Sequence, residues 1–422
     1  MGCAHITGDR KGVYGIMYEA RKGAVTLHIT DADGRPARNA KLHIEQTDHD
    51  FLFGCGAFDM LSLSENGEGD PFYEERAREW IDLFNYGTLS FYWGRYEPVE
   101  GQIEYRSRRN AANYLNKNGK KIKGHPLCWQ TECAEWLLNY DNKTILSKQL
   151  ERINRDVTAF ADVIDYWDVI NETVIMPVYD RYDNPVTRIC KEYGRVNLVK
   201  EVFDAAKAAD PDAILLINDF DYSDRYAEVI SDCLDAGAPI DAIGIQTHQH
   251  QGYWGRERLS EIISRFERFG LPIHFTENTF VSGHLMPPDI IDLNDYQPAE
   301  WPTTPEGEAR QSRDLEDMLR FVFDHPLVEA FTTWDFTDGA WLGAPSGVVR
   351  KDNTKKPSYE MLKRLIHEEW HTAKDVQCDE NGDIRFEGFL GTYAVTSEGS
   401  NAQFHFGKKD REGTITICLS KE

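Results

Sequence analysis

Two glutamates stand at positions where they could act together. Glu172 follows the apolar run "DYWDVIN" and Glu277 follows "PIHFT", and both runs have the length and the β-branched and aromatic content of strands. If both strands belong to one parallel barrel, their carboxyl ends share one rim and the two carboxyl groups face each other. A facing pair, one protonated and one ionised, is the arrangement that hydrolyses glycosidic bonds. The alternative for each glutamate is an ion pair with an arginine or lysine of the rim.

The elements that must position these glutamates are alternating strands and helices. Helical patterns such as 71–84, 197–209 and 308–324 separate β-rich runs, which indicates a (βα) unit repeated eight times. The fold class is therefore α/β, an eight-stranded TIM barrel. The eight predicted strands are 51–57, 87–92, 121–126, 165–171, 213–219, 241–248, 272–277 and 328–334.

Polar and aromatic residues collect where these strands end. The third strand ends in "GHPLCW", the fourth in "INE", the fifth in "IND", the sixth in "IQTHQH", the seventh in "FTEN" and the eighth in "TTWDFTDGAW". Six polar endings on one rim predict a functional face, and tryptophans beside them suit the stacking of sugar rings. A loop at about 281–307 after the seventh strand is expected on the same face.

A metal site is the competing interpretation of the histidines. His248 and His250 have a His-x-His spacing, and metal-dependent hydrolases also place histidines at strand ends. His125 and Asp219 are the further candidate ligands, but they carry no recognisable metal motif. We therefore expect no metal and no cofactor.

The two ends of the chain differ from the middle. Residues 24–46 and 376–420 alternate apolar and polar residues around turn signals, which is typical of antiparallel strands. We expect three segments: an N-terminal β segment (1–50), the catalytic barrel (51–368), and a C-terminal β segment (369–422) that packs with the first. A structural role for this β unit is favoured over carbohydrate binding.

Composition limits the partners. The net charge of −24 disfavours nucleic acid and anionic membranes, and no run of 18 apolar residues occurs. The eight cysteines lack a CxxC pair or regular spacing, so mostly reduced, buried thiols are expected. Oligomeric state and compartment stay open: secreted or periplasmic if a signal peptide has been removed, and cytoplasmic otherwise.

The motifs together resemble glycoside hydrolase family 10, whose best-known members are retaining endo-1,4-β-xylanases. The resemblance runs from about residue 51 to residue 366 and rests on "GHPLCW", "WDVINE", "LIND", "DAIGIQTH", "IHFTE", "TTWDFTDGAWL" and "KKPSY". It implies that Glu172 is the general acid/base and Glu277 the nucleophile of a double displacement. It also implies a set of substrate-binding residues, namely His125, Trp129, Asn171, Gln246, His248, Trp334 and Trp341.

Two positions depart from the family pattern. The family usually has Asn-x-x-Lys at the end of the second strand, where this chain has Leu89 and Tyr92. Polar contacts to the sugar are lost there, and we expect the Tyr92 ring to stack on it instead. The family also has an aspartate two residues after the nucleophile, where this chain has Thr279, so another group is expected to orient His248.

The leading hypothesis is a retaining hydrolase of β-1,4-linked xylan. One alternative is an enzyme of the same mechanism that acts on another β-glycan or on a small aryl or plant-metabolite β-glycoside. A second is a non-catalytic carbohydrate-binding protein, which the presence of both glutamates disfavours. Product size distinguishes the first two hypotheses, and binding without turnover would indicate the third.

Overall fold

The computed structural model describes residues 18–66 and 69–421. Two strands come first, β1 (Lys22–Thr30) and β2 (Lys41–His49). Eight strands then form the barrel: β3 (Leu52–Gly56), β4 (Tyr86–Ser90), β5 (Lys121–His125), β6 (Tyr166–Asn171), β7 (Ile214–Asp219), β8 (Ala242–Gln249), β9 (Ile273–Phe280) and β10 (Val328–Thr333). Six more strands follow: β11 (Ala373–Gln377), β12 (Asp383–Phe389), β13 (Gly391–Ser397), β14 (Ser400–Phe406), β15 (Thr414–Cys418) and β16 (Ser420–Lys421).

Strands β3 to β10 close into a parallel barrel in chain order, with β10 paired to β3. The predicted TIM barrel is confirmed, and each predicted strand overlaps an observed one. The helices are α1 (Asp59–Asn66), α2 (Pro71–Leu83), α3 (Trp93–Tyr96), α4 (Tyr105–Lys117), α5 (Asn142–Phe160), α6 (Pro185–Tyr193), α7 (Arg195–Ala209), α8 (Asp224–Asp235), α9 (Gly255–Phe266), α10 (Pro305–Phe323) and α11 (Pro357–Arg364).

Local sequence explains where several of the helices begin. The side chain of Asp70 accepts a hydrogen bond from the backbone N–H of Phe72, and Pro71 follows at the first helical position of α2. Asp141 caps α5 by accepting from the backbone N–H of Thr144, and Thr304 caps α10 by accepting from that of Gly307. These caps fix the ends of the loops that lead from the rim into the helices.

The barrel interior changes from apolar to polar towards the carboxyl ends of the strands. An apolar layer lies nearest the amino ends and comprises Leu52, Tyr86, Tyr166, Leu216, Ala242 and Ala330. Asp168, two residues beyond Tyr166 on β6, forms a fully buried ion pair with Lys123 of β5. His125 follows, because alternate residues of a strand point to the same side. The interior therefore leads upwards from a hydrophobic floor to polar groups at the rim.

The two chain ends form one β unit, as predicted, in two sheets. One sheet has the order β12-β1-β15 and the other the order β11-β2-β13-β14-β16. Pairing is antiparallel apart from β1 with β15, which are parallel. The buried core of the unit includes Val25, Leu27, Ile44, Phe386 and Tyr393. Residues 1–17 of the predicted N-terminal segment and residue 422 lie outside the described residues.

The β unit packs on the face of the barrel opposite the rim. Arg21, 6% exposed, donates from Nε to the carbonyl of Phe323 at 2.6 Å and from Nη2 to the carbonyl of Val328, where β10 begins. Asn85, directly before β4, donates to Asp48 at 3.0 Å. Within the described strands of the unit, no large apolar side chain is exposed. The structural role of the unit stays a prediction.

Seven described cysteines carry free thiols, five of them buried, as the sequence indicated. The eighth, Cys3, lies outside the described residues. In the part of the chain that the structure describes, no helix has both the length and the apolar character needed to cross a bilayer.

Candidate active site

The two glutamates are placed by β6 and β9. Strand β6 ends at Asn171, so Glu172 is the first residue beyond it, whereas β9 continues three residues past Glu277 to Phe280. The register of β6 against β7 shifts between Asp168 and Ile170. The register of β8 against β9 shifts at Gln246. Such irregularities re-aim side chains, and here they precede the residues that reach the mouth.

Hydrogen bonds connect the two carboxyl groups across the mouth. Asn171 donates to Glu172 Oε1 at 3.4 Å, and its own Oδ1 accepts from Gln246 at 3.0 Å. The Nδ2 of Asn218 donates to Asn171 Oδ1 and to Glu277 Oε1, both at 2.8 Å. The amides therefore hold the two glutamates in one network, in which Asn218 contacts the buried Glu277 directly.

The two carboxyl groups have opposite proton affinities. Burial, together with the nearby carboxylates of Asp219 and Glu277, raises the pKa of Glu172 to about 8. Burial acts in the same direction on Glu277, but the hydrogen bond from His248 and the electrostatic effects of His125, His248 and Lys123 hold its pKa below the ordinary value. At neutral pH Glu172 is protonated and Glu277 is ionised, as an acid and a nucleophile must be.

Glu172 is held in an uncommon backbone conformation. Its φ is 59°, in the left-handed region that side chains other than glycine seldom adopt. Its backbone N–H donates to the carbonyl of Asn218 at 2.8 Å, and Gln130 donates to Oε2 at 3.0 Å. Strain of this kind persists where the surroundings fix it, and it is frequent at catalytic residues.

His248 contacts Glu277 directly. Its Nε2 lies 3.2 Å from Glu277 Oε2, and its Nδ1 lies 3.3 Å from the hydroxyl of Thr279. The sequence leaves open which group orients this ring in place of the family's aspartate. In the structure the neutral hydroxyl of Thr279 contacts His248 where the family has a carboxylate, so residue 279 places no negative charge beside this ring.

Aromatic side chains line the mouth on the β4, β5 and β10 side. The ring of Tyr92 lies 5.6 Å from Trp129 and 5.7 Å from His125, while Trp334 contacts His125 edge-on at 5.2 Å. Tyr92 therefore adds an aromatic ring to this side of the mouth, and its stacking on a sugar stays a prediction. Leu89, fully buried, packs in the main core and adds nothing to the cleft surface.

Trp341 forms the opposite wall. Its ring lies 4.3 Å from His248 and 5.2 Å from His250. Trp301, from the long loop after β9, contacts His250 at 5.8 Å, so this loop lies on the active face as predicted. The indole of Trp341 is thus tilted by 41° against the ring of His248, which contacts Glu277.

The candidate metal ligands do not converge. His125 binds Asp168 through Nδ1 at 2.7 Å, and Asp219 accepts from Thr173 and from the backbone of Val174. His250 is fully buried among aromatic rings, and burial lowers its pKa to about 3. Among the described residues no group of three or more His, Cys, Asp or Glu side chains could hold a metal ion.

The structure brings all ten predicted site residues to the rim, and their individual roles stay predictions. Sequence reasoning missed three residues that contact them: Gln130, Asp168 and Asn218. Asn218 and Asp168 had a signal, since they lie in the quoted motifs "LIND" and "WDVINE". Gln130 follows the "GHPLCW" motif directly, but nothing in its spacing indicates a contact with Glu172.

The sequence is similar to a known family of proteins. The model of glycosyl hydrolase family 10 matches residues 89–365, more than half of the chain. The chain belongs to this family. Similarity to individual proteins extends over more of the chain: endo-1,4-beta-xylanase 1 of Arabidopsis thaliana is 25% identical over 94% of this chain and 39% of its own length. The anti-sigma-I factor RsgI6 of Acetivibrio thermocellus is 24% identical over 90% of this chain and 45% of its own.

Solved structures of family 10 share the fold. The GH10 structure from Paenibacillus barcinonensis has a TM-score of 0.61 at 22% identity and covers 75% of this chain and 95% of its own. Xylanase 10B from Thermotoga petrophila RKU-1, in complex with xylobiose, has a TM-score of 0.61 at 21% identity, with 76% and 95% covered. The chain spans less than half the length of the two curated relatives named above.

Proposed function

We propose that the protein is a retaining glycoside hydrolase that cleaves β-1,4-xylosidic bonds in xylan. The observation that carries the proposal is the pair Glu172 and Glu277, linked by amides and given opposite proton affinities by their surroundings. Membership of family 10 and the xylanase names of several relatives support the substrate class.

The first step forms a covalent intermediate. A carboxylate oxygen of Glu277 attacks the anomeric carbon, the bond from that carbon to the leaving oxygen breaks, and Glu172 gives its proton to that oxygen. The donors on Glu277 Oε1 and Oε2, Asn218 and His248, orient the nucleophile. Asn171 lies beside Glu172, where its amide can contact a sugar hydroxyl as charge develops.

The second step releases the sugar. Glu172, now ionised, takes a proton from water, and the hydroxide oxygen attacks the anomeric carbon as its bond to Glu277 breaks. Two inversions give net retention. The surface formed by Tyr92, Trp129 and Trp334 is suited to stack on the flat faces of sugar rings.

A second candidate is the same reaction on an aryl β-glycoside. The observation that favours it is Tyr92, whose ring adds apolar surface beside His125 and Trp129. A flat aromatic group of an aglycone can stack on such a surface in the same way as a sugar ring.

Product analysis tests the proposal. Arabinoxylan and glucuronoxylan are incubated with the wild type, with Glu172→Gln and with Glu277→Gln. The masses of the products are then measured by mass spectrometry. We expect xylo-oligosaccharides from the wild type and a loss of roughly a thousandfold or more in each variant. Glu308→Gln, at a buried glutamate paired with Arg350 outside the cleft, is the matched control and keeps activity.

The other hypotheses predict different results. Cleavage of an aryl β-xyloside but of neither polymer would overturn the xylan assignment and leave the mechanism. Binding of xylan with no turnover of any β-glycoside would overturn catalysis. An α-anomer as the first product, seen by proton NMR, would overturn retention.

A further inference from the structure

Part of the long loop after β9 forms a flap beside the mouth, which we define as residues 284–301. Its two ends meet, because Trp301 Nε1 donates to the carbonyl of His284 at 2.8 Å and the two rings stack at 5.6 Å. The backbone N–H of Met286, which is 1% exposed, donates to the carbonyl of His250 at 2.9 Å. The base of the flap is therefore anchored in the protein interior.

The flap extends from β9 back around the rim towards β6. Strands β6, β7, β8 and β9 are neighbours in this order, and the loops after β7 and β8 are short. Gln251, in the loop after β8, donates from Nε2 to the carbonyl of Pro287 at 2.9 Å and to that of Ile290 at 2.8 Å. The flap thus lies against the loop after β8 on its way to the loop after β6.

Arg181, in the loop after β6, holds the far part of the flap. Its Nη2 lies 2.8 Å from Asp292 Oδ2 and 2.9 Å from Asp295 Oδ1, and we call these two ion pairs the bridge. The three side chains are 43%, 38% and 60% exposed, so water and salt weaken both pairs. The bridge therefore joins the loop that follows the strand of Glu172 to the loop that follows the strand of Glu277, by contacts weaker than those at the buried base.

The bridged sector is the side of the mouth on which the leaving group lies. In the proposed reaction Glu172, at the end of β6, gives its proton to the leaving oxygen. The aromatic surface of Tyr92, Trp129 and Trp334 is supplied by the ends of β4, β5 and β10. The attacked sugar then lies towards that surface and the leaving group towards β6 to β9. A long leaving group has to pass the bridge.

We propose that Arg181 is a specificity-determining residue, which holds the flap across the leaving-group side and so favours cleavage at bonds whose leaving group is short. The identity of the sugar in this inference rests on the proposed function, whereas the bridge is a property of the protein alone. The oligosaccharides released from xylan are then short from the first cuts onwards. Loss of the bridge frees the far part of the flap and admits longer leaving groups.

The positions of the cuts test the inference. Xylopentaose labelled with oxygen-18 at its reducing end is digested, and mass spectrometry of the fragments gives the share of cuts at each bond. In the wild type we expect a preference for bonds near the reducing end. Arg181→Met is expected to raise the ratio of long to short leaving groups about fivefold, since exposed ion pairs are weak. Salt at about 1 M is expected to raise this ratio in the wild type but not in Arg181→Met.

Matched variants separate the bridge from a general loss of charge. Arg188 is also an exposed arginine, and it pairs with Asp183 on its own side of the bridge. Arg188→Met is therefore expected to keep the wild-type ratio, and Arg181→Lys, which keeps the charge, to keep most of it. The double variant Arg181→Met/Asp295→Asn is expected to add little to Arg181→Met, because its second change acts on a pair that is already broken.

Hydrogen exchange reads the bridge without a substrate. We expect the backbone amides of residues 290–297 to exchange about fivefold faster in Arg181→Met than in the wild type or in Arg188→Met. Unchanged exchange overturns the inference, and so does faster exchange with an unaltered ratio of cuts. A wild type that prefers long leaving groups also overturns it. If the wild type cleaves no xylo-oligosaccharide, the proposed function fails, while exchange still decides whether Arg181 holds the flap.

Discussion

Glu172 and Glu277 show how two identical side chains acquire opposite proton affinities. Activity requires Glu277 ionised and Glu172 protonated, so it falls at acid pH as Glu277 gains a proton and at alkaline pH as Glu172 loses one. The alkaline limb is expected near pH 8, the pKa to which burial raises Glu172. The acid limb is expected below 4.5, since the pKa of Glu277 lies below that ordinary value.

Gln130 offers a sharp test of this assignment. Its amide donates to Glu172 Oε2 at 3.0 Å, and a donor of this kind favours the ionised carboxyl group. Gln130→Leu is therefore expected to raise the pKa of Glu172 and to move the alkaline limb of kcat/KM upwards by roughly half to one pH unit. The acid limb serves as the internal control, and a shift of that limb instead would contradict the assignment.

At the residue scale, the sequence predicts which side chains lie at the rim but not how these side chains are oriented. Glu172, Glu277, His125 and Asn171 were recognisable because each ends or follows an apolar strand. The contact of Gln130 with Glu172 depends on the path of the loop after β5, and the aim of Gln246 depends on a register shift. Neither feature has a local signature in the sequence.

At the element scale, the strands were predictable because each is a short apolar run bounded by turn residues. The predicted end of β9 was the least accurate, at residue 277 instead of Phe280, because this strand continues through Asn278 and Thr279, which pair with β8. The arrangement of the β unit in two sheets could not be predicted from the sequence either. Its pairing of β1 with β15 joins segments almost 400 residues apart, and alternation alone specifies no partner.

Arg21 joins the β unit to the barrel, and we expect it to contribute to the free energy of unfolding. Buried at 6% exposure, it donates to the carbonyls of Phe323, His325 and Val328. Arg21→Met leaves these acceptors without their donor and is expected to lower the free energy of unfolding by about 2 to 4 kcal/mol, measured in urea.

The control for this change is Arg385→Met. Arg385 forms an exposed ion pair with Glu412, so its loss is expected to cost less than about 1 kcal/mol. Neither variant touches the cleft, and kcat/KM should stay at the wild-type value in both. Equal effects of the two changes on unfolding would contradict the role given to Arg21.

On the scale of the whole molecule, the active face and the β unit lie at opposite ends of the barrel. The core that surrounds the barrel includes Tyr18 and Phe389, so the unit and the barrel share apolar contacts. We expect one cooperative unfolding transition for the intact chain. A chain that stops at Thr372 loses the partners of β1 and β2, which exposes Val25, Leu27 and Ile44, and its Tm is expected to fall by about 10 °C or more.

Calorimetry checks this expectation. Two separate transitions in the intact chain, with the barrel transition unchanged after truncation, would show that the β unit folds independently. Addition of residues 373–422 as a separate peptide is the control, because it restores the missing strands without a covalent link.

The electrostatic coupling between the two glutamates has a consequence for the timing of proton transfer. The negative charge of Glu277 is one of the causes that raise the pKa of Glu172. When Glu277 becomes an ester, that charge disappears, and the proton affinity of Glu172 falls just after it has given up its proton. The carboxylate then persists long enough to accept a proton from water. When the ester is hydrolysed and Glu277 is charged again, Glu172 regains its affinity, so the covalent state of one glutamate sets whether the other acts as base or acid.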